Sequence, residues 1–464
     1  MKHGHDLDGE RLPIKVDSTS NGEFVPIPLP TIQREANRLA RQQAAENAKR
    51  AGMGRRAFLV SACGAASTLL AFNAVNAAAG KWGGAFELTA EAAVDPEAAA
   101  EALGGEEFIF DVQGHFIGEA ALRPGSPRGP KNFIKDVFLD SDTDMMVLSF
   151  VPSRRDSEPL TIREADAVRQ IVDDLEGSHR LLLHGRVNPN QAGDVEGMDE
   201  LAERWGVAAW KTYTQWGPDG RGYYLSDPDT GVPFIEKARS LDVKVICIHK
   251  GIPFGGRSYE HSLCDDVGVA AKRFPDVSFI IYHSGWVPGR PERAYEPDAG
   301  RDGVDSLVRS LLDNGVPPNS NVYAELGSTW RGVMGDPDSA AHCLGKLLKY
   351  VGENNVLWGT DSIWYGSPQD QIQAFRTFQI APELQERYGY PAITPDLRAK
   401  VFGLNATKPY NISADEVLKR AGRDAIANRR LTYAESPDPH FLTFGPQTRR
   451  EFNRLVRLHG GSPV

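Results

Sequence analysis

Cysteine is scarce in this sequence. The chain of 464 residues contains four, Cys63, Cys247, Cys264 and Cys343. No two of them have CxxC spacing, and a disulfide framework would need more cysteines in a shorter chain. We therefore expect buried free thiols rather than disulfide bonds.

Positive charge and long apolar runs are also in short supply. The 52 lysines and arginines are outnumbered by 62 acidic residues, which gives a net charge of −10. No basic block follows the first 60 residues, and this argues against a nucleic-acid partner. The apolar stretch within residues 53–80 is too short and too weak for a convincing transmembrane span. The balance of 41% hydrophobic and 25% charged residues is that of a globular protein.

The N-terminal hundred residues differ in character from the rest. Residues 1–52 are polar and poor in aromatics, and we predict them to be disordered. Residues 53–80 hold Arg55-Arg56 before a mildly apolar segment that ends in small residues. With Phe58 and Leu59 in matching positions, this segment resembles a twin-arginine export signal, which implies the twin-arginine export machinery as a partner and a periplasmic location. A buried amphipathic helix is the alternative, with a cytoplasmic protein, and residues 81–105 are interpreted as a linker.

From about residue 106 short apolar runs alternate with segments whose apolar spacing suits amphipathic helices. Several runs are apolar without alternation, which is typical of parallel strands covered on both faces. Eight strands and helices over 250–300 residues predict a (β/α)8 barrel within an α/β fold. A doubly wound sheet is the alternative, but no GxGxxG loop follows the first run. The runs are EFIFDV, TDMMVLSFV, RLLLHGRV, GVAAWKTYT, VKVICIH, VSFIIYH, NVYAEL and NNVLWGTD.

Polar and titratable residues lie where the predicted strands end, which is the active face of such a barrel. The first strand ends at Gln113 and His115, and the fourth carries Lys211. The fifth ends at His249 and the sixth at His283, while the eighth ends at Asp361. We interpret Asp111 as fixing the turn after the first strand and His184, in the middle of a strand, as supporting structure.

These residues together resemble the amidohydrolase superfamily, in the branch of aminocarboxymuconate semialdehyde decarboxylase and the resorcylate-type decarboxylases. The resemblance covers residues 106–412, from FIFDVQGHF to RAKVFGLNATKPYNI, and rests on His115, on ICIHKG, on IIYHSGW and on WGTDSIW. It implies a (β/α)8 barrel with one divalent metal ion at its mouth. Zinc is the first expectation, with manganese or magnesium as alternatives.

The resemblance also implies roles for single residues. His115, His249 and Asp361 would hold the metal, and His283 would be the acid-base residue. Asp361 would act either as a ligand or in proton transfer. Gln113 departs from the family pattern, which has His or Glu at this position. It would be a weak ligand, a hydrogen-bond partner of a water on the metal, or the remnant of a lost site, and retention of the other four residues argues against a remnant.

Residues in the loops after the strands are candidates for substrate binding. Lys211, Trp286, Trp330 and Arg154 are the predicted contacts. Aromatic residues around the mouth would suit a planar or apolar organic molecule, although aromatic loops often pack on one another. An arginine could hold a substrate carboxylate in a forked pair.

The sequence thus predicts an exported, metal-dependent hydrolase that cleaves an amide, ester or lactone of a small organic substrate with water activated by the metal. Non-oxidative decarboxylation of an aromatic or unsaturated acid is the principal alternative. A metal-free binding protein with the same barrel is a third hypothesis. Residues 413–464 form a C-terminal helical extension without an assigned role, and association into a homo-oligomer is left open.

Overall fold

One sheet of eight parallel strands forms the centre of the molecule, and its strands are adjacent in chain order. The computed structural model describes residues 11–173, 177–253, 258–298 and 301–458. The sheet closes on itself, because Val112 N donates to Trp358 O at 3.0 Å and Asp361 N donates to Gln113 O at 3.0 Å. The predicted (β/α)8 barrel is therefore confirmed. The barrel strands are β2 Phe110–Gly114, β3 Met145–Leu148, β4 Leu181–Arg186, β5 Ala209–Tyr213, β6 Val245–His249, β7 Ser278–Tyr282, β8 Val322–Glu325 and β9 Val356–Leu357; β1 Gly84–Phe86 and β10 Phe378–Ile380 pair separately.

Helices cover the barrel from outside, and this explains why the strands are apolar on both faces. Inside the barrel, side chains such as Val112, Met145 and Ile280 are fully buried and fill the interior. The helices are α1 Thr31–Arg50, α2 Arg55–Leu59, α3 Ala62–Ala78, α4 Pro96–Leu103, α5 Pro130–Ile134, α6 Ile162–Asp173, α7 Met198–Glu203, α8 Gly231–Ser240, α9 Tyr259–Ser262, α10 Val267–Arg273, α11 Val304–Asn314, α12 Thr329–Val333, α13 Pro337–Lys346, α14 Gln369–Thr377, α15 Pro382–Tyr388, α16 Pro395–Ala399, α17 Asn405–Tyr410, α18 Ala414–Ala421, α19 Ala425–Ala434 and α20 Arg449–Leu458.

The N-terminal region is ordered where the sequence predicts disorder. Within residues 11–52, an extended segment precedes α1, which packs against α3. Ala36, Ala40, Ala44 and Ala48 recur every fourth residue on the buried face of α1, so the two helices can approach closely. Residues 1–10 lie outside the described part of the chain.

The segment expected to be an export signal is packed into this helical layer. Phe58, Leu59, Cys63 and Phe72 of α2 and α3 are each at most 2% exposed. Export itself stays a prediction. In the described residues, no helix is long and apolar enough to cross a membrane. All four cysteines are buried free thiols, as predicted.

The segments on either side of the barrel also pack against it. Residues 81–105, expected as a linker, contain β1, which pairs antiparallel with β10, and α4, whose Leu103 is 2% exposed. Arg180, directly before β4, forms an ion pair with Asp424 of the C-terminal extension, and Asp424 caps α19. The extension is therefore anchored to the barrel wall.

Candidate active site

The polar residues at the carboxyl ends of the strands converge on one buried cluster. Gln113 and His115 end β2, His249 ends β6, His283 directly follows β7, and Asp361 follows β9. Each of these five side chains is at most 3% exposed. A parallel barrel places all its strand ends on one face, so residues far apart in sequence meet there.

On one side of this cluster, three polar groups lie at nearly equal distances from one another. His115 Nε2 is 3.2 Å from Asp361 Oδ1, and the Gln113 amide nitrogen is 3.1 Å from Asp361 Oδ1 and 3.3 Å from His115 Nε2. Donor atoms about 2.1 Å from a tetrahedral zinc ion lie roughly 3.4 Å apart. The three groups therefore have the spacing of metal ligands, once the Gln113 amide turns its oxygen inward. That oxygen is buried and has no hydrogen-bond partner among the described residues.

On the other side, two imidazoles face each other. His249 Nε2 is 3.2 Å from the carbonyl oxygen of Ile252, and His283 Nδ1 is 2.7 Å from that of Gly327. A carbonyl only accepts, so both of these nitrogens carry the proton. The remaining nitrogens, His249 Nδ1 and His283 Nε2, are 3.2 Å apart and present lone pairs to each other. A cation or a proton between them is needed to make this contact favourable.

Backbone geometry at the strand ends is unusual. His283, Ser284, Ser328 and Asp361 all have φ between 53° and 64°, which is rare for residues other than glycine. Side chains hold this geometry. Glu325 accepts hydrogen bonds from the backbone of His283 and Gly327.

Asp111 supports the site at the closure of the barrel. Its Oδ1 accepts from Gln113 N at 3.0 Å and from Thr360 N at 3.1 Å. The β2–β3 register shifts between Asp111 and Gly114, where the strand leaves its regular pairing. Asp111 thus fixes the turn after the first barrel strand and brings Gln113 next to Asp361.

Two residues from the N-terminal segment enter the cluster, and sequence reasoning missed both. Asn21 Nδ2 donates to Asp361 Oδ2 at 2.9 Å and to Glu23 Oε2 at 2.7 Å. Glu23 Oε2 lies 3.7 Å from His249 Nδ1 and 4.0 Å from His283 Nε2. One atom from each of Glu23, His249 and His283 lies within 4.8 Å of the other two, at the distances of a metal site. No sequence signal marks Asn21 or Glu23, since both stand in a polar segment some 90 residues before the first barrel strand.

Ser328 and Tyr365 complete the wall around Asp361. The Ser328 hydroxyl donates to Asp361 Oδ2 at 2.6 Å and lies 2.7 Å from the Tyr365 hydroxyl. Asp361 therefore has partners on both oxygens. Burial alone would raise the pKa of Asp361, but the hydrogen bond from His115 and the neighbouring imidazoles hold it below the usual value.

Burial sets the other protonation states. It raises the pKa of Glu325 to about 8 and, together with the charge of Asp361, raises the pKa of Glu23 to about 8. It lowers the pKa of His283 to about 4 and also lowers the pKa of His249. Both imidazoles are therefore neutral near pH 7, which is the form that binds metals and accepts protons.

Lys211 lies deeper in the barrel. Its ammonium stands 3.7 Å from the ring centre of Tyr282 and 4.6 Å from that of Tyr213. It has no hydrogen-bond partner among the described residues, and burial lowers its pKa to about 8. The ammonium of Lys211 is therefore held by contacts with aromatic rings, which attract cations.

The remaining predicted substrate contacts separate into one at the mouth and two elsewhere. Trp286 lines a cavity of about 220 Å³ together with Phe24, Ser328, Arg331 and Tyr365. Trp330 differs from the prediction, because it is fully buried in the core, packs on Phe375 and Phe378, and donates its indole N–H to Gln371 O. Arg154 is exposed and donates to the carbonyl oxygen of Pro218.

Comparison with known proteins gives a family and a set of fold relatives. The sequence model of the amidohydrolase family matches residues 111–412. None of the curated proteins compared with the chain matches it.

Three solved structures are among those to which the chain is similar. A 5-carboxyvanillate decarboxylase from Novosphingobium aromaticivorans, complexed with manganese, is 13% identical, with 66% of this chain and 96% of that chain covered and a TM-score of 0.42. A 2,6-dihydroxybenzoate decarboxylase from Rhizobium is 16% identical, with 66% and 99% covered and a TM-score of 0.40. A 4-oxalomesaconate hydratase from Rhodopseudomonas palustris is 13% identical, with 71% and 99% covered and a TM-score of 0.38.

Proposed function

Because the chain belongs to the amidohydrolase family, whose sequence model spans residues 111–412, we propose that it is a metal-dependent hydrolase that cleaves an amide, ester or lactone bond of a small organic substrate. One observation supports this proposal. His115, His249, His283 and Asp361 lie buried together at the carboxyl ends of the barrel strands. Its cofactor would be one divalent ion, with zinc or manganese as the candidates.

The donor types of the residues present fit such an ion. His249 Nδ1 offers a lone pair that faces another lone pair at 3.2 Å, and His115 and Asp361 lie at ligand spacing from each other. His115, His249 and Asp361 would hold the ion, since imidazole and carboxylate are donors that zinc and manganese accept. When bound, the ion would supply Lewis acidity, which lowers the pKa of water and polarises a carbonyl group.

Proton transfer would fall to His283. Its Nδ1 hydrogen bond to Gly327 O leaves Nε2 as the basic nitrogen, directed into the cluster. At neutral pH this nitrogen is unprotonated, so it can take a proton from the attacking water and pass it to the leaving group. The backbone hydrogen bond of His283 to Glu325 fixes the position from which it acts.

Access and selectivity would come from the cavity beside Ser328. At about 220 Å³ this cavity is smaller than the pockets of roughly 300–1,000 Å³ that hold drug-sized ligands, so it would suit a small substrate. Trp286 and Tyr365 on its wall favour an apolar or planar substrate.

Decarboxylation is the second candidate, and Arg331 is the observation that favours it. Its side chain is 6% exposed, its guanidinium lies 5.4 Å from the Tyr365 ring centre, and its Nη2 pairs with Asp17 at 2.8 Å. Its Nε has no hydrogen-bond partner among the described residues. This buried donor at the cavity would suit a substrate carboxylate.

The test measures metal content first and product second. Purified protein, stripped and reconstituted with Zn²⁺ or Mn²⁺, is expected to hold about one ion per chain, and His249→Ala should lose it. The native protein is then assayed against amides, esters and lactones and, in parallel, against aromatic acids with detection of CO₂. Hydrolysis that His283→Asn abolishes supports the proposal, CO₂ release supports the second candidate, and absence of bound metal would refute both.

A further inference from the structure

An N-terminal segment, residues 11–30, crosses the mouth of the barrel in an extended conformation. Ile14 is 1% and Asn21 7% exposed, so the segment is built into the molecule and does not lie loosely on it. Lys15 donates to the carbonyl oxygen of Ser367 and forms a buried ion pair with Asp370 at 3.1 Å. Asp17 pairs with Arg331 beside the cavity. These contacts fix the chain just before residues 21–23.

Residues 443–446 of the C-terminal extension, called the C-terminal tail below, contact the same segment. Ser20 N donates to Pro446 O at 2.9 Å, and the hydroxyls of Thr19 and Thr443 are 2.7 Å apart. A Cβ atom at Gly445 would lie 1.8 Å from the carbonyl oxygen of Ser20, so only glycine permits this approach.

The tail is itself tied to the barrel. The backbone N–H groups of Phe444 and Gly445 donate to Trp364 O at 2.7 and 2.9 Å, and Trp364 stacks on His115. The tail is thereby anchored to the loop that carries Asp361. Residues 11–30 and the C-terminal tail thus form one cover over the site.

The segment delivers a carboxylate where the barrel lacks a charged donor. In the predicted ligand set, Asp361 supplies one negative charge against the two positive charges of the ion, and Gln113 adds none. Glu23 Oε2 lies 3.7 Å from His249 Nδ1, a spacing that two ligands of one ion can have. Asn21 bridges Glu23 and Asp361 with a single amide nitrogen, so it holds the two carboxylates close to each other at the site.

We infer that Glu23 is a ligand of the divalent ion and supplies, from the N-terminal segment, the charged donor that Gln113 does not provide at the end of β2. This inference rests on the proposed function, because it requires the barrel to bind a metal. It also explains the ordered N-terminal region and the long C-terminal extension as parts that position one ligand. An export signal cleaved near residue 80 would remove Glu23, so the active chain has to keep this segment.

The experiment measures metal affinity on the full chain. Metal-free protein is titrated with Mn²⁺ by calorimetry, bound metal is counted by mass spectrometry, and the Mn²⁺ site is followed by its paramagnetic resonance spectrum. Glu23→Gln keeps the shape of the side chain and removes the charge. Glu35→Gln on the exposed face of α1 is the matched control. The double variant Glu23→Gln with Gln113→Glu restores a carboxylate to the site, now at the end of β2.

The expected result is a loss of Mn²⁺ affinity of at least about 10- to 100-fold in Glu23→Gln, the range seen when even indirect metal contacts are removed. The spectrum should change, Glu35→Gln should match the native protein, and the double variant should recover much of the affinity. Recovery also shows that a loss in the single variant is not misfolding.

Three outcomes would overturn the inference in distinguishable ways. If Glu23→Gln binds Mn²⁺ with native affinity and spectrum while His249→Ala does not, the metal site stands and Glu23 is not its ligand. If Glu23→Gln keeps its metal and shows a higher turnover rate, the N-terminal segment blocks the site and does not supply a ligand. If the native chain itself binds no metal, the proposed function fails together with the inference.

Discussion

The ion pair of Arg180 with Asp424 carries a prediction about the C-terminal extension. The two side chains are 2% and 1% exposed. The guanidinium donates to both carboxylate oxygens and also to the carbonyl oxygens of Asp144 and Ala421. Asp424 accepts in addition from Ala427 N at 2.8 Å, at the N-terminus of α19.

Replacing Asp424 with Ala leaves the guanidinium charged, buried and without its counter-ion. Loss of one partner from a buried pair costs about 3–5 kcal/mol, and loss of an N-cap costs about 1 kcal/mol. We therefore expect Asp424→Ala to lower the free energy of unfolding by about 4–6 kcal/mol. Equilibrium unfolding in guanidinium chloride, followed by tryptophan fluorescence, measures the change.

A surface pair with similar chemistry is the control. Arg204 and Glu200 are 3.1 Å apart with side chains 60% and 63% exposed, and such pairs contribute roughly 0.2–1 kcal/mol. Glu200→Ala should therefore change stability little. If Asp424→Ala costs no more than Glu200→Ala, the extension is not anchored by this pair and the reasoning fails. The double variant Arg180→Met with Asp424→Leu should cost less than Asp424→Ala, because it removes both charges.

Three further predictions concern the barrel and its site. Trp330→Ala should lower the free energy of unfolding by about 3–5 kcal/mol, as expected for a core aromatic, whereas Trp286→Ala should mainly raise KM. Thermal unfolding measures the first effect and steady-state kinetics the second. In metal-free protein, stability should fall as pH drops from 6.5 through 4, because the unfolded chain binds a proton at residue 283 in this range while burial lowers the folded pKa of His283 to about 4. Denaturation midpoints across this range should be flatter for His283→Asn, by up to about 3 kcal/mol. Chelation should destabilise the protein, and metal at 100 times its Kd should restore about 2.7 kcal/mol.

The barrel could be predicted from the sequence because its signals are local. Each strand is a short apolar run followed by a polar residue, and eight such runs with helices between them match the size of a (β/α)8 barrel. The residues at the ends of the runs, such as His249 and His283, therefore identify the active face without knowledge of any contact. Trp330 shows the limit of this reasoning. It follows β8 as a mouth residue would, yet it lies in the first turn of α12 and is buried in the core.

The N-terminal region could not be predicted because its order depends on distant partners. The alanines of α1 repeat every fourth residue, but alanine on a polar helix is compatible with disorder as well as with packing until α3 is placed against it. Asn21 and Glu23 are a stronger case. Their role depends on a contact with Asp361, some 340 residues away in the chain. Neither the spacing nor the composition of the sequence predicts that contact.

Gln113 can be understood only from the strand ends and the N-terminal segment together. At the end of β2 a neutral amide stands where the family pattern calls for an imidazole or a carboxylate, and from the strand alone the site looks weakened. The amide, however, lies 3.1 Å from Asp361, and Asp361 shares Asn21 with Glu23. A second carboxylate close to Asp361 is costly without a cation near both, because like charges in a buried site repel. A ligand at residue 113 with its own charge would have added a third. The neutral Gln113 at the strand end and the acidic Glu23 in the N-terminal segment therefore complement each other. A charged residue at one of the two positions is balanced by a neutral residue at the other.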